Sequence, residues 1–308
     1  MDELDSKIIA EMQYNPRQSN RNLSKILSID EATVRRRVDN LVSSGSLILT
    51  VLPDLTRLGY PIYAHFIIGA DHSKIDAIGQ QLFNLPELRF VATCAGPADF
   101  SVRGNFATLE TMMAFNTNAI GKIEGISSIE TMIECRQLKS THNRIGISSN
   151  YKKPVPGRTV TISESDRRLI LQLQKDARTP LKELAETIGV SNATVSRRIK
   201  ELVGAGIIEL AAVPDNAKVG FPVRCSVRIA TEPSRVNEVA DSIAVYPQVS
   251  YLALISGPVQ ILAGMHLTSA DELSWFVENV LNKIDGTRKI EPLIYLKILK
   301  REFSWISG

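Results

Sequence analysis

The strongest constraint on this chain is an internal repeat, because the first half of the sequence recurs in the second half. Arg17 aligns with Arg178, and the run Ala32-Thr33-Val34 aligns with Ala193-Thr194-Val195, at a constant offset of 161 residues and without a gap. Solenoid repeats have periods of roughly 20–50 residues, so a period this long predicts a duplicated module instead. We therefore expect two copies of one module along the 308-residue chain.

Cysteine usage and hydropathy argue against several classes of protein. The three cysteines, Cys94, Cys135 and Cys225, are far apart and form no Cys-x-x-Cys pair, so we expect neither a disulfide framework nor a metal site. No apolar run approaches transmembrane length and no leader-like segment opens the chain, which predicts a cytoplasmic protein without a membrane partner. The net charge of +3 is too small to indicate a ligand by itself.

Each copy begins with a pattern of short amphipathic helices. In the second copy, Gly189 ends one helix and Ser191 begins the next. Val195, Ile199 and Leu202 are spaced to face a core, which leaves a basic outer face. Two short helices joined by a tight turn predict a helix-turn-helix, whose second helix enters the major groove of DNA.

The outer face of this second helix supplies the candidate contacts to double-stranded DNA. Arginine donates two hydrogen bonds to guanine, and flanking arginine, serine or threonine side chains hold phosphates. The alternative, solvated charges on an ordinary helix, is weakened because the pattern recurs in both copies. The predicted DNA-binding residues are Thr33, Arg35, Arg36, Arg37, Asn192, Thr194, Ser196, Arg197 and Arg198. Because Arg35 aligns with Ser196, and Glu31 with Asn192, we expect the two preferred half-sites to differ.

The remainder of each copy alternates between strands and helices in the order β-α-β-β-α-β. Residues 62–68 alternate with period two, and a last strand is predicted from about 126 to 133. The fold class is therefore α+β, with two copies of a winged-helix-like helix-turn-helix domain followed by a ferredoxin-like domain. The predicted boundaries are 1–52 and 163–213 for the helix-turn-helix domains, 53–140 and 214–308 for the ferredoxin-like domains, and 141–162 for the linker.

This combination resembles the Lrp/AsnC (feast/famine) family of prokaryotic transcription regulators. The resemblance rests on residues 190–199, 202–208, 214–215 with Gly220, and 96–100, and it covers the chain twice. It implies that the helix-turn-helix domains bind DNA. It also implies that the ferredoxin-like parts, called RAM domains, assemble the chain into homo-oligomers and bind a small effector, commonly an amino acid. RAM pairing within one chain and between chains are both allowed.

The resemblance places the effector near a glycine turn between two strands of the RAM domain. Backbone amides at this turn suit a carboxylate, and Asp99 suits an ammonium group. The alternative is that Asp99 is a turn-capping carboxylate. Gln260 aligns with Asp99 and has no charge, so the second site is expected to bind a different ligand or none. The predicted effector-binding residues are Gly96, Pro97, Ala98, Asp99, Gly257 and Gln260.

Two other functions compete with a specific regulator. Siroheme decarboxylases resemble this architecture, but the histidines, His65, His72, His142 and His266, neither recur in the repeat nor lie in an Arg-Glu-His cluster. No nucleophile, paired-carboxylate or phosphate-loop motif is present either, so we expect no catalytic residues, no metal and no cofactor. A nucleoid-organising protein with weak sequence preference would use the same basic helices for phosphate contacts.

Overall fold

The computed structural model describes residues 1–140 and 160–301, which form two compact units. Both copies contribute to each unit. The first unit contains residues 1–58 and 160–219, and the second contains 59–140 and 220–301. Most of the predicted linker, 141–162, and the last residues of the predicted second RAM domain, 302–308, lie outside the described residues.

The first unit contains three helices and one strand from each copy. In the first copy these are α1 (Glu3–Tyr14), α2 (Asn20–Leu27), α3 (Glu31–Ser43) and β1 (Leu47–Pro53). The second copy supplies α6 (Glu164–Lys175), α7 (Leu181–Ile188), α8 (Asn192–Gly204) and β6 (Ile208–Pro214). The turn before α3 passes through Ser28 at φ +55°, and the turn before α8 passes through Gly189 at φ +75°. These left-handed residues end the preceding helices and produce the predicted tight turns.

Strands β1 and β6 pair with each other and join the two helix-turn-helix domains. Leu47 lies opposite Pro214, Pro53 lies opposite Ile208, and Thr50 lies opposite Ala211, its own aligned residue. This antiparallel register is self-complementary, as in the interface between two identical subunits. The Thr50 hydroxyl donates to the carbonyl of Gln174 at 2.8 Å, so the buried face of β1 also holds the first helix of the other copy.

The second unit contains the two ferredoxin-like domains, with the predicted order of strands and helices. The first copy supplies β2 (Ile62–Ala70), α4 (Ile75–Asn84), β3 (Leu88–Ala95), β4 (Phe100–Phe106), α5 (Leu109–Asn118) and β5 (Ile126–Ser140). The second copy supplies β7 (Val223–Thr231), α9 (Val236–Ala244), β8 (Val249–Ser256), β9 (Ile261–Leu267), α10 (Ala270–Asn279) and β10 (Thr287–Arg301). No helix in the described ranges is long and apolar enough to cross a membrane.

The two four-stranded sheets join into one closed barrel of eight antiparallel strands, ordered β10-β3-β4-β2-β5-β8-β9-β7. The first part of β5 pairs with β2, and its last part, from Ile133 to Ser140, pairs with β8 of the other copy. The predicted end of this strand near 133 is therefore wrong. The extension pairs with a strand more than a hundred residues later, so local alternation does not reveal it.

Alternate residues of the strands fill different cores. Phe66 and Val227 belong to two outer cores, where each sheet packs against its own helices. Ile67, Met132 and Leu293 belong to an inner core between the two sheets, to which both copies contribute. The barrel interior is therefore the internal interface between the two copies.

Candidate DNA interface and effector sites

Helix α3 presents one buried face and one exposed basic face. Val34, Val38 and Leu41 are buried, whereas Arg35 and Arg36 are exposed. Asp30 caps the helix and accepts from the backbone amide of Thr33 at 2.8 Å, which leaves the Thr33 side chain half-buried at the N-terminal end. Among the described residues, neither Arg35 nor Arg36 forms an ion pair. Both guanidinium groups are therefore available to an external partner.

Helix α8 has the same two faces but one arginine fewer. Asn192 and Arg197 are exposed, and Thr194 and Ser196 are half-buried beside them. The Arg197 guanidinium lies 2.7 Å from a Glu201 carboxylate oxygen, but this side chain is 65% exposed. Exposed pairs of this type are weak, so the contact leaves Arg197 free to exchange partners.

Arg37 and Arg198, which align in the repeat, have a different role from their neighbours. Arg37 lies 2.6 Å from Asp2 and 3.1 Å from Asp5. Arg198 donates twice to Asp166, at 2.5 and 2.7 Å, and once to the carbonyl of Thr161. Each arginine therefore fastens the second helix of the motif to the first helix of its copy, which the outward-facing pattern did not predict.

The carboxyl group of Asp166 is the most buried member of these ion pairs, with a side chain only 3% exposed. Burial would raise its pKa, but hydrogen bonds from Arg198 and Ser163 outweigh this and lower the pKa below its usual value of 3.8. The group therefore remains a carboxylate at neutral pH and holds Arg198 in place.

Asp99 and Gln260 make the same contact in the two RAM domains. Asp99 Oδ2 accepts from the backbone amide of Ala70 at 2.7 Å, and Gln260 Oε1 accepts from that of Thr231 at 3.0 Å. Ala70 and Thr231 align in the repeat. The other Asp99 oxygen lies 3.1 Å from Nε2 of the exposed His72. Because an uncharged amide makes the same bond, this geometry favours the turn-capping interpretation of Asp99.

The glycine turns pack closely against the opposite copy. Gly96 has φ +132°, and an added Cβ would lie 2.7 Å from the carbonyl oxygen of Pro292 on β10. Gly257 has φ +136°, and its Cβ would lie 3.2 Å from Cγ of Met132 on β5. Close approach of the backbone to the other copy thus explains both glycines without a ligand. In the first turn, Pro97 is exposed, whereas Ala98 packs against the inner core.

A polar cluster inside the barrel was missed by the sequence reasoning. We call it the inner cluster and define it as Tyr63, His65, Arg103, Glu134, Tyr251 and Tyr295. The side chains meet across five strands, with His65 Nε2 lying 3.9 Å from Glu134 and 3.4 Å from the Tyr251 hydroxyl. The expectation that no histidine lies in a cluster with arginine and glutamate is therefore wrong.

The sequence does contain a signal for this cluster, because several of its residues differ from the residues aligned with them in the other copy. His65 aligns with Ser226 and Arg103 aligns with Gly264, at strand positions that face the barrel interior. A search for motifs along the chain does not reveal such residues, because the strands bring them together from distant segments.

Comparison with protein families assigns all four domains. Residues 1–42 match the AsnC-type helix-turn-helix domain, and residues 162–209 match the winged helix-turn-helix DNA-binding domain. Residues 65–143 and 224–305 each match the Lrp/AsnC ligand binding domain.

Comparison with individual proteins gives the same division into two copies. The HTH-type transcriptional regulator LrpA of Pyrococcus horikoshii is 35% identical over 140 residues, which is 45% of this chain and 99% of that protein. LrpA of Pyrococcus abyssi is 34% identical over 140 residues, with the same coverage. One such regulator thus corresponds in length to one copy of the module.

Among solved structures, the siroheme decarboxylase NirDL in complex with an iron-uroporphyrin III analogue has a TM-score of 0.68. The match covers 98% of this chain and 95% of that one, at 15% sequence identity. Identity this low shows a shared fold alone.

Proposed function

This chain belongs to the Lrp/AsnC family, and we propose that it is a sequence-specific, DNA-binding regulator of transcription whose affinity for DNA is modulated by a small effector. The observation that carries the proposal is the first unit itself. It holds two helix-turn-helix motifs together through β1 and β6, and each motif presents a polar, exposed N-terminal helix face.

A self-complementary pair of helix-turn-helix motifs suits two half-sites on duplex DNA. In a two-fold dimer two chains supply such a pair, whereas here one chain supplies both members. We propose that α3 and α8 bind adjacent half-sites of unlike sequence, because the exposed residues of the two helices differ.

The ion pairs divide the predicted contact residues into two groups. We propose that Thr33, Arg35 and Arg36 contact DNA from the first copy. From the second copy, the contacts come from Asn192, Thr194, Ser196 and Arg197. Arg37 and Arg198 position the recognition helices through their aspartate partners, and a loss of either would reduce affinity without changing the preferred bases.

The proposal is tested by selecting bound sequences from a random DNA pool with the full chain. We expect one motif with two unlike halves. Arg36→Ala should weaken binding to that motif by about 1–3 kcal/mol and relax preference in one half only. Lys122→Ala, an exposed substitution in the second unit, is the matched control. A selected motif that is a perfect palindrome would contradict unlike half-sites.

A selection that enriches no motif would favour the nucleoid-organising alternative. If the chain enriches no motif and binds random DNA with a steep salt dependence, the nucleoid-organising alternative replaces the specific regulator. In both cases we propose that the protein acts in the cytoplasm on nucleoid DNA, as a homo-oligomer of chains that each contain two modules.

We further propose that the RAM domains bind the effector and that an amino acid is its chemical class. The turn formed by Gly96, Pro97, Ala98 and Asp99, with Gly257 and Gln260 in the other copy, stays a predicted site. The partners already held by Asp99 argue against an ammonium contact there. If Asp99→Ala leaves effector binding unchanged, the effector does not bind Asp99.

The inner cluster is the observation that favours an enzyme as the second candidate. Its histidine, arginine and tyrosines lie in a protein that shares its fold with a siroheme decarboxylase. We nevertheless propose that the chain is not an enzyme, because its relatives at 34–35% identity are transcriptional regulators, whereas the decarboxylase shares only 15% identity. Incubation with an iron-containing tetrapyrrole tests this point: visible absorbance retained after gel filtration, with release of carbon dioxide, would establish the enzyme.

A further inference from the structure

The inner cluster contains an arginine without a carboxylate partner. Within the described part of the chain, Arg103 on β4 forms no ion pair, and its Nε atom is buried without a hydrogen-bond partner. The guanidinium lies 4.3 Å from the ring centroid of Phe90, and it donates a hydrogen bond to the Tyr295 hydroxyl. Arg103 is thus held by aromatic and phenolic groups, which orient its charge without neutralising it.

Among the described residues, the same cluster also contains a carboxylate without a permanently charged cationic partner. Glu134 on β5 accepts a hydrogen bond from the Tyr251 hydroxyl of the other copy. His65 is close, but its side chain is 2% exposed, and burial lowers the pKa of its imidazole more than the nearby Glu134 raises it. The imidazole is therefore neutral at physiological pH and does not neutralise Glu134.

A second arginine inside the barrel shows the contrast. Arg228 is 4% exposed and forms an ion pair with Glu130, and a Glu291 oxygen lies 3.7 Å from the same guanidinium. In this interior, Arg228 is thus paired directly with carboxylates on other strands. Arg103 and Glu134 are opposite in sign and belong to one cluster, yet no ion pair joins them. Unpaired charges in a low-dielectric interior are costly, so their separation calls for an external partner.

Both charged side chains keep partial solvent exposure, although the Nε atom of Arg103 is itself buried. Arg103, Glu134, Tyr63 and Tyr295 are only half-buried, whereas His65 is fully buried beneath them. Gly264 aligns with Arg103, and Tyr295 aligns with Glu134, so the repeat does not create a second copy.

We propose that Arg103 and Glu134 bind the carboxylate and the ammonium group of one small zwitterion, an amino acid, at a single site per chain. Arg103 would donate to the ligand carboxylate through its guanidinium group, and Glu134 would accept from the ligand ammonium. Phe90, Tyr63 and Tyr295 would surround the ligand's remaining atoms. This site is separate from the glycine turn that the sequence indicated. Ligand binding at this site is measurable without DNA, so its test does not depend on the proposed regulation of transcription.

The first test is calorimetric titration of the full chain with each of the twenty common amino acids. We expect at least one to bind with a stoichiometry of one per chain. For that ligand, we then compare the deaminated acid and the decarboxylated amine. Because hydrogen bonds to charged groups stabilise a complex by about 1.5–3 kcal/mol, each analogue should bind at least about tenfold more weakly than the zwitterion. An analogue that binds as tightly as the zwitterion overturns the proposal, as does the failure of all twenty amino acids.

Two substitutions test which charged group of the ligand contacts Arg103 and which contacts Glu134. With Arg103→Met, the amino acid and its decarboxylated amine should bind equally. With Glu134→Gln, the amino acid and its deaminated acid should bind equally. Asp99→Ala should leave all three affinities unchanged, and melting curves confirm that each variant is folded. Binding that is lost in Asp99→Ala but retained in the other two variants would place the ligand at the glycine turn and overturn the proposal. If a variant does not fold, the comparison of the zwitterion with its two analogues on the unmodified chain still tests the proposal.

Discussion

The arginines on the two recognition helices show how one residue type serves different purposes at adjacent positions. Arg36 and Arg37 are neighbours, yet Arg36 has no ion-pair partner among the residues that the structure describes, whereas Arg37 is paired with Asp2 and Asp5. Sequence spacing places both on the polar side of the helix. It does not show the distance to the aspartates of the first helix, which depends on how the two helices cross.

Loss of Arg198 should destabilise the protein more than loss of its aligned partner Arg37. Arg198→Met leaves the buried carboxylate of Asp166 with only the hydrogen bonds from Ser163. We expect a loss of roughly 2 kcal/mol in the free energy of unfolding, below the 3–5 kcal/mol of fully buried pairs because Arg198 is partly exposed to solvent. Arg37→Met should cost less, since its partner Asp2 is exposed and its partner Asp5 is less buried than Asp166. Denaturant unfolding of the two variants measures the difference; equal losses would contradict it.

The same ion pair predicts a dependence of stability on acid. The pKa of Asp166 is lower in the folded chain than its usual value of 3.8. Its contribution to stability is therefore complete above pH 3.8 and is lost as the pH falls through the folded-state pKa. Asp166→Asn should be less stable than the unmodified chain at pH 7, and the difference should shrink below pH 3.8. Thermal unfolding from pH 7 to pH 3 tests this, and a difference that stays constant would exclude Asp166 as the source.

At the scale of elements, most of the fold was predictable, because the cues are local. Helix caps such as Asp30 and Ser191 and the period-two alternation in β2 mark elements from a few adjacent residues. The extension of β5 was not predictable, because Ile133 to Ser140 pairs with β8 of the other copy. The inner cluster was missed for the same reason, since its residues lie on strands from both copies.

Two lysines at the ends of the long strands should stabilise the closure of the barrel. Lys300 on β10 is 5% exposed and donates to the carbonyl of Leu85, at the end of α4 in the other copy. Lys139 on β5 donates likewise to Ala244 and Tyr246 at the end of α9. Lys300→Met should cost about 1–3 kcal/mol of unfolding free energy, because it leaves a carbonyl without its charged donor.

Lys297→Met provides the matched control, since Lys297 lies on the same strand but is exposed. It should change stability by at most about 0.5 kcal/mol. Chemical unfolding of both variants makes the comparison. Equal effects would show that replacing any lysine on β10 lowers the unfolding free energy, whether or not that lysine contacts the other copy.

At the scale of the whole molecule, the two copies are not successive independent halves. The sequence predicted the duplication but left pairing within or between chains open. The structure pairs like domains within one chain, in a two-stranded sheet in one unit and a closed barrel in the other. The self-complementary register around Thr50 and Ala211 is the contact that two separate chains would make.

The barrel should therefore unfold as one cooperative body. Met132 is fully buried in the inner core and lies against the turn at Gly257 of the other copy. Met132→Ala should lower stability by about 2–5 kcal/mol. It should also accelerate hydrogen exchange of the most protected amides in both β4 and β9, although β9 belongs to the other copy. Val245→Ala, at an exposed position, is the control. Acceleration confined to β4 would show that the copies unfold separately.

Housing both recognition helices in one chain changes how such a protein evolves. In a dimer of identical subunits, each mutation in a recognition helix appears twice, so the two half-sites must change together. In this chain a mutation in α3 leaves α8 untouched, and the operator is free to lose its palindrome one half at a time. A gene with this architecture is able to acquire a new target through one helix while the other preserves the old affinity.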